Sequence, residues 1–289
     1  MEKPYTNQKS VDPECRPGPI GVFDSGYGGL TILRELRKAL PDADFLYLGD
    51  NARAPYGTRS FDIVYRFTLQ AVEELFRRGC RLVILACNTA SAKALRSIQQ
   101  RDLPVIAPTR RVLGVIRPTV EAVAAMSTKG SVGIFGTPGT IASESYPIEI
   151  AKLCPDFKVW GHACPMWVPL VENKEFDSPG ADYFIKKDVD ALFGAAPDID
   201  TLILGCTHYP LLIEKIRKYV PQGVCIINQG KVVAESLCDY LRRHPEMDAL
   251  ISRGGSAEYL TTDNADKFSE LASIFTGTPV EAVKTDLHT

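Results

Sequence analysis

The chain has 289 residues, of which 45% are hydrophobic and 24% are charged, and its 33 basic and 35 acidic residues leave a net charge of -2. This length suggests two domains, and the composition is that of an ordinary globular protein. Because the charges nearly cancel, they favour neither a nucleic acid nor an anionic membrane as a partner, and we expect a small-molecule partner.

The eight cysteines are not expected to form a disulfide framework. Such frameworks are typical of short secreted chains, whereas the N-terminal segment MEKPYTNQKSVDPECRPG lacks the apolar stretch of a signal peptide. No run approaches the roughly 18 apolar residues of a membrane span. These features predict a cytoplasmic protein with reduced thiols. No two cysteines form CxxC, which argues against a structural zinc site and a thioredoxin-like redox pair.

The N-terminal part of the chain, after a short extension, shows a regular alternation of predicted strands and helices. Residues 1–18 hold three prolines and little hydrophobic periodicity, which predicts a disordered extension. From Pro19, the apolar runs PIGVF, DFLYLGD and RLVILAC alternate with amphipathic stretches. These stretches predict three helices, from about Leu30 to Leu40, through Ile63 to Leu75, and from Ser91 to Gln99. Strands that are apolar throughout predict parallel sheets covered on both faces, a doubly wound α/β fold.

The pattern then restarts, which predicts an internal duplication. SVGIFGTPGTI at 131–141 resembles PIGVFDSGYGG at 19–29, and TLILGCTHYP at 201–210 resembles RLVILACNTA at 81–90. Two similarities in the same order favour two α/β units of one plan, each with a strand that ends in a cysteine.

A third stretch follows the second unit. It contains a helix, the strand GVCIIN, a helix from about Val232 to Arg243, and a short α/β segment that ends near Val283. We expect this stretch to pack beside the first unit. The predicted first domain is therefore discontinuous, with residues 19–108 and 211–289, and the second covers 109–210.

Two cysteines occupy positions suited to chemistry. In parallel α/β sheets, ligands bind beyond the carboxyl ends of strands, where loops enter helices whose amide groups are partly positive. Cys87 and Cys206 lie at such helix starts, where the pKa of a thiol should fall below about 8.5. Buried packing is the expected role of the other thiols outside the extension, since no polar helix start follows them: Cys80, Cys154, Cys164, Cys225 and Cys238. Cys15 lies in the extension.

Three further polar residues are candidates for the same site. Asp24 ends a strand, where it could bind a substrate ammonium group, tune a thiol or simply cap the next helix, as Ser25 also could. His208 follows Cys206 by two residues. Glu172 would be an ordinary surface carboxylate unless it paired with His208.

Two other motifs are weak. Gly26, Gly28 and the strand-ending Asp50 resemble part of a dinucleotide fingerprint, but Thr31 stands where its third glycine belongs. A metal could recruit Cys206 and His208 with His162 or Cys164, yet no HExxH or CxxC is present and no metal site is expected.

Six segments together carry a family likeness. IGVFDSGYGGLTILREL, YLGDNARAPYGTRS, VILACNTASA, VGIFGTPGTI, VPLVEN and LILGCTHYPLL resemble the cofactor-independent glutamate racemases of the aspartate/glutamate racemase superfamily. The likeness runs from Pro19 to about Leu287. The resemblance implies two pseudosymmetric α/β domains, an active site in the cleft between them, and D-glutamate supply for the peptidoglycan of the bacterial cell wall. It also implies a homodimer, no cofactor, and possible activation by a cell-wall precursor.

The resemblance also implies roles for individual residues. Cys87 and Cys206 match the two catalytic cysteines, and Glu172 and His208 match the acidic residue and histidine that assist the second thiol. The remaining matches are substrate-binding pairs and two threonines of the same pocket: Asp24 and Ser25, Tyr56 and Gly57, Asn88 and Thr89, Thr207 and His208, Thr137 and Thr140. The departures from the family pattern are Tyr27, Asn51, Asn228 with Gln229, and the basic segment APTRRVLGVIRPTVEAV.

Inversion of an α-carbon requires proton removal on one face and proton delivery on the other, which two opposed thiols could perform. With the direction taken from the resemblance, Cys87 would deprotonate D-glutamate and Cys206 would act on L-glutamate. No lysine lies in a motif suited to a pyridoxal Schiff base. The alternatives are a racemase for aspartate or another amino acid, a cysteine hydrolase using Cys206, His208 and Glu172, and a binding module without catalysis.

Overall fold

Strands and helices alternate throughout residues 16–287, the part of the chain that a computed structural model describes. Its ten strands are β1 (Ile20–Asp24), β2 (Phe45–Gly49), β3 (Leu82–Leu85), β4 (Arg111–Gly114), β5 (Ser131–Gly136), β6 (Lys158–Ala163), β7 (Thr201–Gly205), β8 (Cys225–Ile227), β9 (Ala257–Thr261) and β10 (Ala282–Lys284).

The α-helices lie between these strands. In chain order they are α1 (Leu30–Ala39), α2 (Phe61–Arg77), α3 (Asn88–Lys93), α4 (Leu95–Ser97), α5 (Leu103–Ile106), α6 (Ile116–Met126), α7 (Pro138–Ala142), α8 (Ser145–Leu153), α9 (Trp167–Glu172), α10 (Pro179–Ala195), α11 (Ile213–Tyr219), α12 (Gln229–Arg243), α13 (Pro245–Asp248) and α14 (Ala265–Thr276). Short 3-10 turns cover Asn51–Arg53 and Tyr209–Leu212, and a π-turn covers Ile98–Asp102.

Two parallel sheets organise these elements, as predicted. The first has six strands in the order β10-β9-β2-β1-β3-β4, and the second has four in the order β6-β5-β7-β8. All residues of β1, β2, β3, β5 and β7 are buried. Strands covered on both faces must be apolar along their whole length, which explains the continuous hydrophobic runs of the sequence.

The two sheets repeat one strand plan. The order β2-β1-β3-β4 in the first sheet corresponds to β6-β5-β7-β8 in the second. This correspondence aligns β1 with β5 and β3 with β7, the same pairs whose sequences resemble each other. The internal duplication is therefore confirmed at the level of topology.

Sheet membership differs from the predicted division of the chain at two short strands. β4 pairs with β3 in the first sheet, although it lies beyond residue 108, and β8 pairs with β7 in the second sheet, although it lies beyond residue 210. Both strands are the fourth in their unit, and the recognisable sequence similarity ends with the third. β9 and β10, from the C-terminal end, join the first sheet.

Part of the predicted N-terminal extension is tied to the first sheet. The Gly18 N–H donates to the Leu250 carbonyl at 2.9 Å, and the Arg16 carbonyl accepts from Arg81 Nε at 3.0 Å. Residues 16 and 18, at the end of the predicted extension, are therefore attached to the rest of the chain by backbone groups. Residues 1–15, with Cys15, lie outside the described residues.

The structure also bears on the predicted burial of five cysteines and on membrane-spanning helices. Cys154, Cys225 and Cys238 are only partly buried, so full burial holds for Cys80 and Cys164 alone among the five thiols expected to pack. Cys154 follows the last residue of α8 and Cys225 begins the edge strand β8, while Cys238 lies on a partly exposed side of α12. Within residues 16–287, no helix has the length and apolar character needed to cross a membrane.

Candidate active site

The strand order itself places a crevice where the candidate residues lie. From β1 the chain moves to β2 on one side and then to β3 on the other, so the loops after β1 and β3 diverge at the carboxyl end of the sheet. Asp24 ends β1 and Cys87 follows β3. The same switch in the second sheet lies between β5, followed by Thr137, and β7, followed by Cys206.

A cavity of about 190 Å³ lies between these two sets of loops. Its volume suits a small metabolite and is too small for a dinucleotide. Most of the predicted site residues line it: Ser25, Tyr56, Gly57, Cys87, Asn88, Thr89, Thr137, Glu172, Cys206, Thr207 and His208. Asp24 and Thr140 are not among the lining residues and lie directly behind the wall. The sequence prediction missed the apolar part of the lining, which includes Val168 and Pro169.

Cys87 is a buried thiol held by two weak hydrogen bonds. Its sulfur is 3.4 Å from Ser25 Oγ, and it accepts from the Ala90 N–H at 3.5 Å at the start of α3. Burial raises the pKa of the Cys87 thiol to about 12, and the negative charge of Asp24 adds to the rise, against the lowering effect of Ser25 and Ala90. The predicted fall in the pKa of this thiol is therefore wrong, because desolvation outweighs the helix-start amides.

Cys206 has a different set of partners. Its sulfur is 3.8 Å from His208 Nδ1, and His208 Nε2 is 3.1 Å from Glu172 Oε1. Burial by itself lowers the pKa of His208, but the hydrogen bonds with Cys206 and Glu172 outweigh burial and raise that pKa to about 10. A protonated imidazole at this position stabilises negative charge on the Cys206 sulfur. The conditional prediction for Glu172, that pairing with His208 would single it out, is met by the geometry.

Asp24 lies behind the loop that carries Ser25. It accepts from the Gly26 N–H at 2.9 Å and from Thr207 Oγ1 at 3.3 Å, so it connects β1 with the residue after Cys206. Burial raises the pKa of this carboxyl, while the charge of His208 and the hydrogen bonds from Gly26, Gly29 and Thr207 act in the opposite direction. Gly29, which directly precedes α1, has no side chain to cap the helix, and the Asp24 carboxyl accepts from its N–H.

Three threonine hydroxyls join the two units at the cavity wall. Thr89 Oγ1 is 3.0 Å from Thr137 Oγ1 and 3.2 Å from Thr140 Oγ1, and the last two atoms are 3.1 Å apart. Thr137 also caps α7 by accepting from the Thr140 N–H at 3.3 Å. Thr140 therefore supports Thr89 and Thr137 from behind the wall.

Asn88 belongs to a buried polar network that sequence analysis did not identify. Its Nδ2 donates to Gln229 Oε1 at 2.8 Å, while its Oδ1 accepts from the Tyr146 hydroxyl at 2.7 Å and from Gln229 Nε2 at 3.1 Å. Gln229 Nε2 also lies 3.0 Å from Thr119 Oγ1. The sequence offered one signal, since Gln229 departs from the family pattern.

Tyr56, which lines the cavity, is held in place by the buried carboxylate of Asp50. Its hydroxyl donates to Asp50, which also accepts from Arg53 Nε at 2.7 Å and from Thr262 Oγ1 at 2.8 Å. Asp50 therefore positions the loop that carries Tyr56 and Gly57.

Gly28 allows the first loop to approach Thr207 and His208 closely. A Cβ at this position would lie 2.2 Å from Thr207 Oγ1 and 2.5 Å from His208 Nδ1, far inside van der Waals contact. Only glycine permits this packing without displacement of the residues that follow Cys206.

Cys206 and His208 belong to no group of three possible metal ligands within residues 16–287. His208 presents Nδ1 to Cys206 and Nε2 to Glu172. The other residues of that alternative, His162 and Cys164, belong to a separate cluster with Asp188.

Comparison with known proteins gives consistent matches over most of the chain. The sequence profile of the Asp/Glu/Hydantoin racemase family matches residues 28–237. The glutamate racemase of Ruegeria sp. (strain TM1040) is 43% identical over 266 residues, which cover 89% of this chain and 96% of that protein.

Solved structures agree with the sequence matches. Glutamate racemase isoform RacE1 from Bacillus anthracis superposes with a TM-score of 0.85 at 35% identity and covers 93% of this chain and 98% of its own. Glutamate racemase from Francisella tularensis, solved in complex with D-glutamate, superposes with a TM-score of 0.83 at 32% identity and covers 95% and 98%.

Proposed function

Because this chain belongs to the Asp/Glu/Hydantoin racemase family, we propose that it interconverts L-glutamate and D-glutamate without a cofactor. The observation that carries this proposal is the presence of two thiols in one small cavity, one after β3 and one after β7. The relatives named above are glutamate racemases, which favours glutamate over aspartate. The product D-glutamate would serve peptidoglycan synthesis.

The two thiols have the roles of base and acid. In this proposal, one cysteine removes the α-proton while the other delivers a proton to the opposite face of the carbanion. Cys206 acts as the base on L-glutamate, and Cys87 acts as the base on D-glutamate. The two exchange protonation states in each turnover.

The surroundings of Cys87 favour its thiol form at rest. Burial and the charge of Asp24 raise the pKa of Cys87. A protonated Cys87 can deliver its proton to the carbanion formed from L-glutamate. After one turnover Cys87 is the thiolate. The Ser25 hydroxyl, whose Oγ lies 3.4 Å from the Cys87 sulfur, can then donate a hydrogen bond to it.

The remaining polar groups would bind the substrate and stabilise charge in the transition state. Asn88, Thr89 and Thr207 line the cavity at helix or turn starts, where N–H groups and hydroxyls can donate to the α-carboxylate. The Asp24 carboxyl, close behind Ser25, would attract the substrate ammonium group, whose charge would favour ionisation of Asp24.

The cysteine-hydrolase alternative has some geometric support, since Cys206, His208 and Glu172 could act as nucleophile, base and orienter. It leaves Cys87 without a function and does not fit the racemase family to which the chain belongs. The binding-module alternative likewise gives no reason for two opposed thiols.

The proposal is tested by proton exchange at the α-carbon. Purified protein freed of small molecules by dialysis should convert L-glutamate in deuterated water into D-glutamate with α-deuterium, without added pyridoxal phosphate. Rates with L-aspartate should be much lower. Cys87→Ser and Cys206→Ser should each reduce racemisation by at least about 100-fold, the lower range for loss of a general acid or base.

Cys225→Ser is the matched control, because this partly buried thiol lies on β8, away from the cavity lining. It should retain the wild-type rate. Full activity in either active-site variant, or a requirement for pyridoxal phosphate, would refute the two-thiol mechanism. Binding of glutamate without deuterium exchange would instead favour the binding module.

We also propose that the enzyme works in the cytoplasm as a homodimer. Catalysis by two thiols needs a reducing compartment, and all seven cysteines in residues 16–287 are free. Exposed apolar side chains such as Val105 and Val283 offer surface for self-association. Light scattering over a concentration series tests the dimer.

Activation by a cell-wall precursor remains part of this proposal. A second cavity of about 670 Å³ is lined by more basic than acidic side chains, with Lys93, Arg96 and Arg117 among them. Such a cavity suits an anionic, nucleotide-sized molecule. Racemisation rates with and without a uridine diphosphate-linked muropeptide precursor test it, and unchanged rates would refute it.

A further inference from the structure

A second cluster of reactive side chains lies outside the reaction proposed above. His162 on β6, Cys164 just after β6 and Asp188 on α10 each direct one donor atom to a common point, and these atoms all lie within 4.8 Å of one another. The set combines an imidazole, a thiol and a carboxylate, the three ligand types that zinc accepts. The sequence contains no CxxC or HExxH motif at this cluster, because Asp188 comes from α10, which is distant in sequence from His162 and Cys164.

The three side chains are held in place by regular structure. His162 and Cys164 are fixed by the pairing of β6 with β5, and the Cys164 N–H donates to the Gly136 carbonyl at 2.9 Å. Asp188 lies in the interior of the 17-residue helix α10. A site built on rigid elements loses little conformational entropy when an ion binds.

A simple ion pair does not account for the whole cluster. His162 Nε2 lies 3.1 Å from Asp188 Oδ1, which satisfies those two groups. The buried Cys164 thiol lies outside that ion pair: it contacts the His162 carbonyl at 3.8 Å and the Asp188 carboxylate. Burial and the neighbouring Asp188 carboxylate raise the pKa of the Cys164 thiol.

We propose that His162, Cys164 and Asp188 form a binding site for a divalent transition-metal ion of the zinc class. On binding, the Cys164 thiol releases its proton to solvent and its sulfur coordinates the ion, together with one His162 nitrogen and one Asp188 oxygen. Tetrahedral ligands around zinc are roughly 3.3–3.8 Å apart, so the donor atoms need to approach by about 1 Å. A water molecule would complete the coordination from the side of His162, whose side chain is 29% exposed.

This inference does not depend on the proposed racemase activity. Cys164 also lines the catalytic cavity, so an ion held there would lie close to the substrate site without using the catalytic groups. Cys206 and His208 are not part of this group of three possible ligands.

Metal titration of the reduced, full-length protein tests the proposal. Zinc affinity is measured by competition with a chromophoric chelator, and cobalt(II) is then used because thiolate ligation gives an intense charge-transfer absorption. We expect one ion per chain and a cobalt–thiolate band that is lost in Cys164→Ser. His162→Gln removes a direct ligand and should weaken zinc binding by at least about 100-fold, more than the loss of an outer-shell partner costs.

Two controls make the result decisive. Cys206→Ser and Cys225→Ser should both keep the band, and circular dichroism should show that His162→Gln, a change at a partly exposed position, remains folded. Absence of zinc uptake, a band that persists in Cys164→Ser, or a band lost only in Cys206→Ser would each overturn the proposal. Unchanged zinc affinity in a folded His162→Gln would also overturn it.

Discussion

Asn88 and Gln229 form a reciprocal amide pair. Asn88 Nδ2 donates to Gln229 Oε1 at 2.8 Å, and Gln229 Nε2 lies 3.1 Å from Asn88 Oδ1. Asn88 follows Cys87 directly, and Gln229 begins α12, the helix that follows β8 of the second sheet. The pair therefore fixes the orientation of a cavity residue from the opposite unit and leaves one N–H of Asn88 for the cavity.

Gln229→Leu should impair substrate binding through Asn88. The change removes both hydrogen bonds of the amide pair and the contacts of Gln229 Nε2 with Thr119 and the Tyr146 hydroxyl. Leaving such a buried polar group without its partner costs about 1–3 kcal/mol. We expect kcat/KM for glutamate to fall about tenfold, mainly through KM, since about 1.4 kcal/mol is a factor of ten. Steady-state kinetics measure the effect.

Gln99→Leu serves as the matched control for that change. Its amide donates to the Val112 carbonyl at 2.7 Å, far from Asn88, and its side chain is exposed. It should leave KM unchanged. An unchanged KM in Gln229→Leu would contradict the positioning role, even if that variant is less stable.

Gly28→Ala should displace the His208 ring. The new methyl group would overlap Thr207 Oγ1 and His208 Nδ1, and relief of that overlap would move the imidazole away from Cys206. We expect kcat to fall at least about tenfold, because a small displacement of a catalytic group is costly. Racemisation measured by circular dichroism of the amino acid gives the rate.

Gly194→Ala is a suitable comparison for Gly28→Ala. Gly194 lies in α10, and a Cβ there would meet no atom within 4 Å. Alanine should therefore preserve the rate and stabilise the helix by up to about 1 kcal/mol. Equal activity of the two alanine variants would show that the close approach at Gly28 is not needed for catalysis.

Glu172→Gln should change the pH dependence of racemisation. The carboxylate raises the pKa of His208, so its neutralisation should lower that pKa from about 10. We expect the alkaline fall in kcat/KM to begin at lower pH. The effect on kcat/KM must be the same for both enantiomers, because their free energies in water are equal. Glu175→Gln, at an exposed position near α9, should not alter the profile.

His208 should also make stability depend on pH. Its pKa is about 10 in the folded protein and about 6.5 in an unfolded chain, so the folded state holds the proton more tightly. The stabilisation from this group is complete below about pH 6.5 and is lost as pH rises to about 10. Urea unfolding at several pH values should show this loss in the wild type and not in His208→Gln. A pH-independent difference between the two proteins would contradict the assignment.

The sequence was sufficient to predict the backbone plan and the position of the two thiols. Apolar runs of four to six residues, separated by amphipathic helices, predict parallel strands, and polar residues after a strand mark the carboxyl edge of a sheet. Cys87 and Cys206 could be found because both signals coincide there. The fourth strands, β4 and β8, are three to four residues long and only partly buried, so their pattern is weak.

The sequence could not predict properties that depend on burial and on contacts across the fold. The pKa of Cys87 is set by desolvation, which the helix-start pattern does not report. Gln229 meets Asn88 only because α12 packs where the two units join. The cluster around Cys164 needs Asp188 from α10, which no local spacing connects to it.

The shared strand plan of the two sheets has a consequence for evolution. Duplication supplies two thiols at equivalent strand ends, but the neighbours of these thiols have since diverged: a serine and an aspartate near Cys87, a histidine and a glutamate near Cys206. Such divergence cannot favour either mirror-image product at equilibrium. It can only set which enantiomer saturates the enzyme first, so selection on the two halves acts on speed at cellular concentrations rather than on the final ratio.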